Sequence, residues 1–293
     1  MTFRAPARAF VGLLTLITAL ALLSGCSRAR KDAIALINQG VETMGRGDGQ
    51  TAEALFAHAA QLDPEYSEAH YHLGLAHYYY LDEKVQALKD FQRAHELSPQ
   101  DPEILFQLGR YHTVEGSPDQ GLLVLDEALS IDWHHARAWF YKGEAYRELG
   151  KRSKAVEAWQ ESILLAPSDV RPYLSLGELY ESVGADKEAE AVYEAGLPHT
   201  GRNADLLNAL GVMAIRLGDA DRALPLLEES LERDSSRMDA MYNLAFAYGQ
   251  VGNRRKAVQQ LTMFIRFADP GEHAENIRVA QALQNALMLE APR

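Results

Sequence analysis

The chain has one cysteine, Cys26, ten histidines and several adjacent carboxylates, and these are the side chains with which it could do chemistry. A lone thiol cannot close an intrachain disulfide, so what remains to it is nucleophilic chemistry. His58, His95, His112, His199 and His273 stand apart from one another in the sequence. His70, His72 and His77 are closer together, but on a helix only His70 and His77 share a face. His134-His135 falls in a turn between periodic segments, where exposure to solvent is the expected state. No HExxH motif, glycine-rich phosphate loop or Gly-x-Ser-x-Gly elbow occurs. Carboxylate pairs such as Glu228-Glu229 and Asp82-Glu83 read as solvated surface. Structural roles are therefore expected for the histidines, with no metal, no cofactor and no catalytic centre.

The surroundings of Cys26 suggest a use for the thiol. Arg4 and Arg8 are followed by an apolar run from Phe10 to Leu23, too short to cross a bilayer comfortably as a helix and suited to the core of a secretory signal. The run ends in Leu23-Ser24-Gly25-Cys26, which resembles the signal of bacterial lipoproteins: Leu, two small residues, then Cys. That resemblance implies removal of residues 1–25, a diacylglycerol on the Cys26 thiol and an acyl chain on the new amino group. Small residues let an extended segment enter a protease site, and several acyl chains anchor stably where one is marginal. Ser27 in place of Asp implies, by the same resemblance, sorting to the periplasmic face of the outer membrane. Arg4 and Arg8 leave with the signal, so the net charge passes from −12 to −14. Such a chain has no basic excess for nucleic acid or for anionic headgroups. With 47% hydrophobic residues it has ample apolar surface to bury, which excludes disorder as its main state. A single long apolar run excludes a polytopic membrane protein.

The rest of the chain is periodic. Gly40, Gly74, Gly109, Gly143, Gly177, Gly211 and Ala245 are spaced by 34, 35, 34, 34, 34 and 34 residues. Two further small-residue series keep step with them: Ala52, Ala87, Gly121, Ala155, Ala189, Ala223, Ala257, and Ala59, Ala94, Ala128, Ser162, Gly196, Ser230, Phe264. The fullest copy, AWFYKGEAYRELGKRSKAVEAWQESILLAPSD from Ala138 to Asp169, has Trp139, Gly143, Tyr146, Ala155, Trp159 and Pro167 in the large–small–large–small–large order of the tetratricopeptide repeat, ending in proline. The chain closely resembles that family. The resemblance implies an all-α fold, a right-handed superhelix of about seven helical hairpins, over 33–66, 67–101, 102–135, 136–169, 170–203, 204–237 and 238–271. Residues 26–32 would be the lipidated tether, and 272–293 a capping helix and tail.

Each unit should consist of two helices around a glycine turn (Gly47, Gly116, Gly150, Gly184, Gly218, Gly252), several of them closing at Pro64, Pro99 or Pro167. One hairpin cannot bury its own apolar face, and stacking supplies the burial. The second unit carries an extra residue and lacks the turn glycine, so a longer first helix or a reshaped turn is expected near Tyr78-Tyr79-Tyr80-Leu81-Asp82-Glu83. The third unit has Trp133 at the position of the closing proline. Bulky Phe264 in the seventh unit implies a changed contact with the segment C-terminal to it. Ala280, Leu283 and Leu287 give the last helix an apolar stripe, with Arg278, Gln281 and Asn285 opposite.

By the same resemblance, the first helices line a concave groove. The residues expected to face it are Tyr71, Leu75, Tyr78, Phe106, Arg110, Arg137, Phe140, Glu144, Arg147, Arg171, Leu174, Glu178, Asp205, Asn208, Val212, Tyr242 and Phe246. An aromatic recurs at one equivalent place, Tyr71, Phe106, Phe140 and Tyr242; large aromatics with nearby Arg are common anchors of protein-binding surfaces. The alternative is that these rings pack between neighbouring first helices. The Lys/Asn clamp with which some tetratricopeptide proteins hold a C-terminal carboxylate is absent, because Phe106, Arg110, Phe140 and Glu144 occupy its places. The expected function is a non-catalytic, lipid-anchored adaptor for protein or peptide segments at a bacterial envelope. Its architecture is similar to the pilotin lipoproteins of type IV pili and to lipoproteins that tether cell-wall hydrolases. A fixed part of a pilus, secretion or export machine is the alternative.

Overall fold

The computed structural model describes residues 28–289, so the expected lipidation at Cys26 lies outside the described residues. Among them there are fifteen helices and no strand. They are α1 (28–45), α2 (Gly49–Leu62), α3 (Ser67–Tyr79), α4 (Lys84–Leu97), α5 (Pro102–Val114), α6 (Pro118–Ile131), α7 (Ala136–Glu148), α8 (Arg152–Leu165), α9 (Arg171–Ser182), α10 (Asp186–Gly196), α11 (Ala204–Arg216), α12 (Ala220–Arg233), α13 (Met238–Gln250), α14 (Arg254–Phe267) and α15 (Pro270–Leu289). None of these helices is long and apolar enough to cross a membrane. The described residues form two compact units, divided between Tyr141 and Lys142, inside α7.

Consecutive helices pack on one another from α2 to α6 in unit 1 and from α8 to α15 in unit 2. The helices start and stop for local reasons. Asp101 caps α5 by accepting from the Glu103 and Ile104 N–H groups, with Pro102 already fixed in helical φ behind it. Asp48, Asp219 and Asn253 cap α2, α12 and α14 in the same way. Helices α2, α4 and α8 stop one residue short of Pro64, Pro99 and Pro167, because the residue before proline is driven out of the helical region. Between the two helices of a hairpin, Gly116 takes φ +84°, and Ser117 N–H closes the turn on the His112 carbonyl at 2.7 Å.

The small-residue series has a steric cause. A Cβ on Gly177 would stand 2.1 Å from a ring carbon of Tyr193, and one on Gly143 would stand 2.4 Å from the indole of Trp159. Each first helix that carries this glycine thus presents a gap into which the large residue of its second helix sinks. The resulting core of unit 1 includes Phe56, Phe91, Leu105 and Leu125; that of unit 2 includes Trp159, Tyr193, Leu206 and Leu227.

The atypical second hairpin keeps a first helix of ordinary length, and the extra residue is absorbed in the turn. Asp82 takes φ +54° where the other turns have glycine, and Glu83 N–H bonds to the His77 carbonyl at 2.8 Å. Trp133 is half-exposed, and its carbonyl accepts from the Trp139 indole N–H at 2.8 Å. At the far end, Phe264 is buried against Tyr242, Ala280 and His273, so its bulk serves the contact with α15.

The three histidines of the second hairpin take separate places. His77 is buried with Nδ1 2.7 Å from Asp90 Oδ2, and His70 Nε2 lies 3.1 Å from the Pro64 carbonyl. His72 stacks on Phe56 with centroids 5.1 Å apart, and burial pushes its imidazole down to about 4. In the unfolded chain it would titrate near 6.5. Between these values the unfolded chain holds more protons, so stability falls as pH drops from about 6.5 to about 4, by about 3 kcal/mol in all. In urea titrations at pH 7 and pH 4.5, His72→Phe is expected to lose less stability than the wild type. Equal losses would show that His72 does not drive the effect.

Candidate functional site

In unit 1 the candidate face is carried by α3, α5 and the start of α7. Tyr71, Leu75 and Tyr78 are half-buried and packed against the cluster of Phe91, Ile104 and Leu108. Phe106 and Phe140, at 2% and 7% exposure, are interior residues. Phe106 packs with Leu125, Leu129 and Ala138. The aromatic row expected along a groove therefore does not stand open at these two places; they fill the space between helices.

A polar network lies over Phe106. Arg137 holds its guanidinium carbon 4.7 Å from the Phe106 ring centre and donates to Glu103 Oε2 at 2.6 Å. The Tyr71 hydroxyl donates to Glu103 Oε1 at 3.1 Å, and His135 Nε2 lies 3.3 Å from Glu103 Oε2. Burial alone would raise the Glu103 carboxyl, but hydrogen bonds from His135, Gln107 and Tyr71 and the Arg137 charge outweigh it and hold it below the usual range. Nearby, the Tyr78 hydroxyl donates to Glu115 Oε1 at 2.9 Å, and Lys84 reaches the same carboxylate at 3.2 Å. Burial, and then the bond to Glu115, pushes the Tyr78 hydroxyl up to about 12.

Arg110 lies inside this face at 6% exposure, with Tyr78 and Tyr79 stacked on its guanidinium at 4.4 and 4.5 Å. Tyr79, at 52% exposure, is the most open aromatic of α3. Helical periodicity does not pick it out, because it lies next to the face position Tyr78; only the run of three tyrosines marks it.

Unit 2 carries the remaining expected residues. Glu144 is half-buried, accepts from Ser175 Oγ at 2.8 Å and pairs with Arg147 at 2.5 Å. Burial raises its carboxyl despite the Arg147 charge. Arg147 and Glu178 border a shallow cleft with Ser175, Leu179 and Ser182. Arg171 forks onto Asp169 at 2.5 Å, and Leu174 is half-buried against the cluster of Tyr173 and Leu206. Asn208 donates to Asp239 Oδ2 at 2.9 Å and accepts from Asn243 at 3.1 Å, while Asp205 pairs with Arg237; Val212 is half-buried. Tyr242 packs on Phe264 and on Phe246, at 5.2 and 5.7 Å, and Phe246 is 37% exposed. Among the described residues no group of three His, Cys, Asp or Glu is placed to hold a metal ion.

Family models described as tetratricopeptide repeat match residues 37–102, 136–169 and 208–261, more than half of the chain. Among curated relatives the chain is similar to BBSome complex member bbs-4 of Caenorhabditis elegans, at 25% identity over 171 residues, which is 55% of this chain and 37% of that protein. The chain spans between 9% and 37% of the length of the curated relatives it matches. Among solved structures it is similar to pilF of Pseudomonas aeruginosa, with a TM-score of 0.61 and 19% identity over 74% of this chain and 96% of that one. It is also similar to PilW, described as a widely conserved type IV pilus biogenesis factor, with a TM-score of 0.63 and 19% identity over 71% of this chain and 96% of that one. At these identities the likeness to both structures is one of fold.

Proposed function

The chain belongs to the tetratricopeptide-repeat family, a protein-interaction scaffold, and from that premise we propose that it is a lipid-anchored adaptor binding polypeptide partners at a bacterial envelope. The observation that carries the binding role is the aromatic surface left open on the first helices: Tyr79 in unit 1 at 52% exposure and Phe246 in unit 2 at 37%. Rigid aromatics beside arginine are frequent energetic anchors of interfaces. The adaptor does no chemistry of its own and works by holding partners at raised local concentration on a membrane. The order Leu23-Ser24-Gly25-Cys26 supports the anchor, and Ser27 supports the periplasmic face of the outer membrane.

A second reading is a fixed assembly component of a pilus. It draws support from the fold likeness to pilF and PilW, which covers 96% of each of those chains. A complex that survives detergent intact would favour it over a transient adaptor.

The test of binding is capture from gently solubilised native membranes, comparing wild type with Tyr79→Ala combined with Phe246→Ala. Both rings are open enough for removal to leave helicity unchanged, so partners are expected to be lost without unfolding. Unchanged capture would move the binding surface elsewhere. For the anchor, the intact mass of membrane-extracted protein should equal a chain starting at Cys26 plus a diacylglycerol and an acyl chain. An unmodified chain starting upstream would end that part of the proposal.

A further inference from the structure

Arg110 is a buried charge without a counter-ion. Its Nε donates to Gln107 Oε1 at 3.2 Å, but Nη2 is buried with no hydrogen-bond partner, and among the described residues no carboxylate pairs with it. The rings of Tyr78, Tyr79 and Tyr141 surround its guanidinium carbon at 4.4, 4.5 and 5.8 Å. Aromatic faces offset part of the cost of burying such a charge, but they do not satisfy an N–H at its edge. The two nearby acids are already engaged: Glu103 by Arg137, His135 and Tyr71, and Glu115 by Tyr78 and Lys84. The fold therefore supplies no anion to Arg110.

We propose that Arg110 is a subsite for an aspartate or glutamate side chain of a bound polypeptide, with Tyr79 as its cover. This rests on the reading that the first-helix face of unit 1 binds polypeptide. With three rings around its carbon and Nε given to Gln107, the guanidinium has the Nη2 N–H groups left to donate, and a carboxylate oxygen is a strong acceptor for them. One unpaired Nη2 in a chain of net charge −12 calls for a monoanion rather than a doubly charged phosphate. Arg110 is on α5, the middle first helix of this face, with Tyr71 and Leu75 on α3 to one side and Arg137 on α7 to the other. A segment crossing the face would thus pass over Arg110 rather than end there, which favours a side-chain carboxylate over a C-terminal one. Tyr79 is the last residue of α3, beside the reshaped turn at Asp82, and its half-exposed ring can swing aside without disturbing the core.

The test follows the arginine Nε–H resonances of the full chain in detergent, with Arg110 identified by the signal lost in Arg110→Lys. The probes are N-acetylglutamate methylamide, its glutamine analogue and N-acetylalanine. Saturable shifts of the Arg110 signal by the glutamate probe in the low millimolar range are expected, with the glutamine analogue at least tenfold weaker. Equal shifts by glutamate and glutamine probes, or none, would overturn the proposal, and the shifts are read on wild-type protein, with Arg110→Lys serving only to identify the signal. Tighter binding of N-acetylalanine would overturn the assignment to a side chain. Partner capture lost in the Tyr79→Ala, Phe246→Ala protein while glutamate and glutamine probes bind alike would sink the subsite and leave the polypeptide-binding reading intact. Selective glutamate binding with unchanged capture would sink that reading and leave the carboxylate site.

Discussion

Replacing Phe106 by alanine is expected to lower the unfolding free energy of unit 1 by about 3–5 kcal/mol, the range for removing a fully buried phenyl ring. Phe106 is 2% exposed and touches Leu125, Leu129 and Ala138, side chains that cannot all collapse into the space it leaves. Its loss also takes the ring from under the Arg137 guanidinium, which stands 4.7 Å away and pairs with Glu103. Urea denaturation of the full chain, followed by far-UV circular dichroism, measures the effect. Phe106→Leu keeps most of the volume and should cost markedly less. An alanine variant as stable as wild type but defective in partner capture would instead make Phe106 a ligand anchor. Loss of stability is the larger effect expected here, because only 2% of the residue is available for any ligand to touch.

Trp159→Ala should be of similar size in unit 2, about 3–5 kcal/mol. Trp159 is fully buried on α8, and its indole fills the notch left by Gly143, where a Cβ would stand 2.4 Å from the ring. That contact predicts a signed coupling. Gly143→Ala alone drives a methyl group into the indole and should destabilise by about 1–3 kcal/mol. In the Trp159→Ala background the same methyl enters the new cavity, so the double variant should be more stable than the sum of the two losses allows. Additive losses would mean that the glycine is required for some reason other than the ring it faces. Because neighbouring hairpins supply each other's core, the damage should reach α9, which packs on α8.

The repeat, its period and its all-α character are legible in the sequence, because they arise from local and nearest-neighbour physics. A glycine that must admit Tyr193 or Trp159 recurs at the interval at which the hairpin recurs, and turn glycines and helix-capping Asp and Asn residues mark their own positions. The reshaped second turn is legible as an extra residue with no glycine, though not that Asp82 takes the left-handed conformation. Which face residues are open is decided only in the tertiary structure. Tyr71, Phe106, Phe140 and Tyr242 occupy one equivalent place, yet Phe106 and Phe140 are buried while Tyr71 and Tyr242 stay partly open. One repeat position thus gives buried rings in two hairpins and partly open ones in two others, so the position by itself does not set exposure. Arg110 shows the same limit. Its number in the repeat places it on the first-helix face, but its burial under Tyr79, and the engagement of Glu103 and Glu115 by other partners, arise from side chains in adjacent hairpins, distant in sequence. Periodicity determines where a residue points; only the packed neighbours determine whether its charge is met.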